Sequence, residues 1–104
     1  MDLVNLTPHT LNIHTDGGLR VLPSDGVARV STVNTPAASI EDIPTVRTQL
    51  GEVTGLPDPQ EGVIYIVSGM VASAAPRPDV FSPGDLVRDD SGRPIGCKGL
   101  RRSM

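Results

Sequence analysis

The chain has 104 residues and a net charge of −3, with eight Arg, one Lys, one Cys, no Trp and two aromatic residues, Tyr65 and Phe81. That length makes one domain. An acidic chain with two rings lacks the counterion-release drive and the stacking platforms used on polymeric DNA or RNA, which speaks against such a partner, and a lone Cys97 excludes an intrachain disulfide or a multi-thiolate zinc site.

Leu, Ile, Val and Phe supply 28 residues. That suffices for a core, but an aliphatic and thin one, so association into a homo-oligomer is expected. No charged-then-apolar leader pattern opens the chain and no apolar run approaches spanning length. The reading is a soluble protein of a bacterial host cytoplasm with no membrane partner.

Pro and Gly total 21 residues and punctuate short apolar runs, as in a β-rich domain. In "NLTPHTLNI", Pro8 cannot donate to a ladder and pushes Thr7 toward extended geometry, so the first strand starts at about Thr10 and runs to His14. Asp16-Gly17-Gly18 turns the chain into a second strand, Leu19 to Leu22, making a hairpin. Val27 to Val33 is the next strand. Residues 34 to 44, "NTPAASIEDIP", read as an exposed loop, and Val46 to Val53 as another strand. "GLPDPQEG" is a rigid turn.

"VIYIVSGMVASAAP" admits two readings. One is a single helix burying Val63, Ile66, Val67, Met70, Val71 and Ala74. The favoured one is a buried central strand, Val63 to Val67, followed by Ser68 as N-cap of a short helix through Ala75. Residues 76 to 84 read as a proline-rigid loop. Asp85 to Arg88 and Ile95 to Leu100 form a last hairpin, and Arg101 to Met104 a frayed tail. The sum is an α+β fold: a small, mostly antiparallel β-sheet domain with one short helix.

For chemistry, His9 and His14 lie an odd number of residues apart, so a strand would point them to opposite faces and away from a shared metal. No nucleophile elbow, P-loop or dinucleotide fingerprint is present. Cys97 suits a small core filler. No catalytic set, cofactor or metal is expected. For binding, Asn5, Thr7 and His9 form a period-two row of amide, hydroxyl and imidazole suited to a base or ribose edge; turn chemistry explains the same residues. Ser68 stands where a strand meets a helix and can face a phosphate, or simply cap the helix. Arg29, Arg47, Arg77 and Arg88 offer forks for a small anion; codon bias of a GC-rich genome explains the Arg excess equally well. Tyr65 or Phe81 is available to stack.

The segments "NLTPHTLNI", "GVARV", "GEVTGLPDPQEGVIYIVSGMVA" and "VRDDSGRPIG" together resemble a family of small phage, prophage and actinomycete proteins with an N-terminal NLTPH motif. That resemblance supplies context rather than mechanism. By analogy with unrelated phage anti-defence proteins, it implies a sponge that sequesters a small cyclic or ADP-ribose-type nucleotide without turnover. The alternative is a protein-interaction module: an inhibitor of a host protein, or a minor virion or assembly component.

Overall fold

A computed structural model describes all 104 residues, Met1–Met104. Eight strands and one helix follow in the order β1 (Asp2–Asn5), β2 (Leu11–Thr15), β3 (Gly18–Leu22), β4 (Arg29–Ile40), β5 (Ile43–Thr54), β6 (Val63–Ile66), α1 (Gly69–Ala74), β7 (Val80–Arg88) and β8 (Pro94–Arg102). Six strands form one sheet in the order β1-β6-β7-β8-β2-β3, and β4 and β5 pair only with each other. The domain is thus small and β-rich with one short helix, as composition and punctuation indicate.

The six-stranded sheet is mixed, with part of it parallel. β1 runs parallel to β6, β6 to β7 and β2 to β8, whereas β7–β8 and β2–β3 are antiparallel. The apolar run Val63 to Val67 explains the parallel centre. Tyr65, Ile66 and Val67 are all buried, and a strand covered on both faces belongs between parallel neighbours joined by crossovers. The crossover from β6 to β7 holds α1. Ser68 caps that helix, accepting from Val71 N–H at 3.3 Å, so the strand-then-helix reading holds and the single long helix does not.

Four segments differ from their sequence reading. The strand expected first, from about Thr10, is the second: Asp2–Asn5 forms a strand ahead of it. Residues 34 to 44 are not a loop: they complete β4 and begin β5, with Glu41 and Asp42 turning the hairpin at positive φ. Pro36 sits inside β4 opposite Val46. In a two-stranded ribbon every second N–H points away from the partner, so a proline there need remove no ladder bond. The stretch 76 to 84 gives way to β7 from Val80, and Arg101 and Arg102 belong to β8 rather than a frayed tail.

Only 13 residues are buried, so the core is as thin as the composition implies. Leu6, Ala28, Tyr65, Val67, Val71, Ala72 and Val80 form it, with Val30 and Val53 packed against it from the base of β4 and β5. Beyond those valines the hairpin leaves the body. A bulge marks the exit: the β4–β5 register shifts between Val30 and Thr32, and Ser31 Oγ accepts from Glu52 N–H at 3.0 Å. The radius of gyration is 16.5 Å, where a compact chain of this length has about 13 Å. No helix is long and apolar enough to cross a membrane.

Candidate functional site

The opening segment is a structural lock. Asn5 ends β1 with no solvent exposure. Its Nδ2 donates to the carbonyls of His9 and Leu22, both at 2.9 Å. Its Oδ1 accepts from Thr7 N–H at 3.0 Å and Thr7 Oγ–H at 2.6 Å. These four bonds fill the amide's capacity and fix its orientation, since only Nδ2 can serve two carbonyls. Leu22 ends β3, and β1 and β3 are the two edges of the sheet. Asn5 therefore ties the ends of the two edge strands to each other. Asp25 reinforces the tie: Asn5 N–H donates to its carboxylate at 3.0 Å and its own N–H donates to the Asn5 carbonyl at 2.8 Å. Asn5 and Thr7 are consequently not displayed beside His9. Of the row, His9 alone is exposed.

A second cluster joins Arg77, Asp79 and Tyr65. Arg77 Nε and Nη2 meet the Asp79 carboxylate at 2.9 and 2.8 Å, and Nη2 also donates to the Pro57 carbonyl at 3.1 Å. The guanidinium carbon stands 5.9 Å from the Tyr65 ring centre, and Tyr65 Oη donates to the Asp58 carbonyl at 3.4 Å. The Arg77 hydrogen bonds hold the Asp79 carboxyl below the usual carboxylate range against an opposing desolvation, and Arg77 is held correspondingly higher. These contacts staple the "GLPDP" turn to the start of β7.

The remaining candidates lie apart. Arg29 and Ser68 line a shallow groove of about 300 Å³ with Pro8, Met70 and Val71, between the base of β4 and the helix. Arg47 stands on the β4–β5 arm opposite Thr35. Arg88 donates to the Gly92 carbonyl at 2.8 Å within the β7–β8 turn. His9 borders a cavity of about 580 Å³ whose walls include Leu11, Pro83, Leu86, Pro94 and Ile95. The nine sequence candidates thus fall into separate places rather than one pocket.

Two features escaped the sequence reading. A polar cavity of about 300 Å³ lies between α1 and the end of β8, bordered by Ser73, Ser82, Arg101, Arg102 and Ser103. Arg102 stands over Phe81 at 5.3 Å, and Arg101 pairs with Asp85 at 3.1 Å. The second feature is the arm. Past the bulge it carries exposed Val33, Ile40, Ile43, Val46 and Leu50, with Ile40, Ile43 and Val46 at 65, 61 and 63 % exposure. The β-branched density of "STVNT" and "IPTVRT" signals strands, but the prolines mask it. No protein-family model, no curated protein and no solved structure matches the chain.

Proposed function

We propose that this chain is a protein-interaction module that acts by docking its β4–β5 arm onto a protein surface. One observation carries the reading: beyond Val30 and Val53 the paired strands β4 and β5 project from the body with Val33, Ile40, Ile43, Val46 and Leu50 in water. A two-stranded hairpin alone is marginal in water and needs a further strand or an apolar partner. Runs of exposed aliphatic side chains mark contact surfaces. In the setting of the phage-family resemblance, the partner is a host protein, a virion component or the chain itself.

The test places a photo-crosslinking amino acid at Val46 and irradiates cells that express the protein. Discrete protein adducts are expected at Val46 and not at Asp90 in the β7–β8 turn. Equal labelling at both positions, or none at Val46, would sink the reading.

A second reading, sequestration of a small cyclic or ADP-ribose-type nucleotide, is favoured by the polar cavity. Its lining includes Arg101, Arg102, Ser73 and Ser82, residue types suited to phosphate oxygens. Thermal denaturation with a nucleotide panel tests it. Ligand at a hundred times its Kd adds about 2.7 kcal/mol, and its recovery intact separates a sponge from a hydrolase. No shift with any member rejects the reading for that panel.

A further inference from the structure

The surface area argues for a particular occupant of the arm. The chain exposes 7148 Å², whereas a compact monomer of its 10.9 kDa mass exposes about 5,600 Å². The excess, about 1,500 Å², is well above the roughly 800 Å² that each partner contributes to a standard interface. The arm supplies a tongue. The strand from Thr32 to Ile40 reaches about 30 Å, and Ile40 and Ile43 pair directly on either side of the Glu41–Asp42 turn. The body supplies a seat that is equally uncovered. The 580 Å³ cavity has Leu11, Pro83 and Pro94 in its wall, with Leu86 and Ile95 at 56 and 44 % exposure.

One chain thus holds both an unpartnered apolar projection and an unpartnered apolar recess. Their own connection does not bring them together: the tip residues are absent from the cavity wall. A second copy resolves both at once, because a two-fold axis lets each tongue enter the other's recess. We infer that the arm's partner is a second copy of this chain, in a reciprocal dimer whose arm tips, Ile40 and Ile43, seat in the cavity bordered by Leu86 and Ile95. This rests on the docking reading of the arm and names its partner.

The experiment uses the full chain at micromolar concentration. Sedimentation or light scattering is expected to give twice the 10.9 kDa chain mass. With Cys97→Ser in both, an Ile43→Cys chain is then mixed with an Ile95→Cys chain under mild oxidation. A mixed disulfide dimer is expected, with at least tenfold less product when either new thiol is absent. A monomer mass overturns the inference, and so does a dimer that gives no 43-to-95 disulfide. If the mass is monomeric while Val46 still crosslinks to a different protein in cells, the docking reading survives and the second copy fails. If neither occurs, both fail.

Discussion

Asn5 shows how much a single buried amide can organise. Asn5→Ala removes the amide partner of the Leu22 carbonyl and the Thr7 N–H, at about 1–3 kcal/mol for each group left unsatisfied, while the His9 carbonyl keeps Thr7 Oγ–H at 3.1 Å. A loss of about 3 kcal/mol in urea unfolding is expected, and a fall in Tm of more than about 10 °C. Thr7→Val, which keeps the backbone N–H, loses about 1–2 kcal/mol. If Asn5→Ala instead unfolds like the wild type, the lock does not hold the fold together. The Arg77–Asp79 pair makes a different prediction. The folded-state carboxyl is depressed, so its stabilisation is fully present above the unfolded aspartate value of about 3.9. It is lost as pH falls through the lower folded value. As pH falls below about 4, wild type sheds a stabilising increment that Asp79→Asn lacks at every pH. Parallel stability curves for the two proteins would refute that assignment. At this scale the sequence was legible in residue types and not in roles. Asn and Thr beside Pro8 announce local hydrogen bonding, but whether Asn5 bonds a ligand or the far edge of the sheet depends on Leu22 arriving beside it.

At the scale of elements, the β4–β5 turn holds a local conflict. Glu41 and Asp42 stand at φ 45° and 67°, a region that Gly enters freely, Asn and Asp at reduced cost, and other side chains such as Glu at about 1–2 kcal/mol. Two-residue turns of this kind favour Asn-Gly. The pair Glu41→Asn and Asp42→Gly is expected to steady the arm by about 1 kcal/mol, which slows amide exchange at the arm tip about fivefold. Faster exchange would show that the acidic pair supplies something the backbone preference does not. The strand β6, the Ser68 cap and α1 were readable because an apolar run, a capping residue and an alanine-rich turn agree with one another. The outer part of the arm, residues 34 to 44, was not, because Pro36 and Pro44 are local signals for a loop. Proline's missing donor matters only where a neighbouring strand waits for it, and that is a property of the whole sheet.

The whole molecule carries the imbalance between a thin core and a large surface. Its 16.5 Å radius of gyration and 7148 Å² of surface both exceed what a compact chain of this size shows, about 13 Å and 5,600 Å². If a second copy covers the arm, stability is coupled to concentration. A tenfold rise in chain concentration then raises the Tm by about 3–5 °C. A Tm independent of concentration from about 1 to 100 μM would leave the chain a monomer with its arm in water, contrary to the size argument above.

Composition and punctuation by themselves determined that this is one small β-rich domain with a thin aliphatic core, a short Ser-capped helix and a buried central strand. Those properties are local: they follow from side-chain volume, proline and glycine backbone limits, and runs a few residues long. Only the tertiary structure decided strand direction, the parallel pairing of β1, β6 and β7, and the tie from Asn5 to Leu22. Each depends on which distant segments meet, and no short window of sequence contains that. The same holds for "NTPAASIEDIP". Its prolines suggest a loop. Its pairing across a turn with a strand free on its outer side makes it the end of an arm instead.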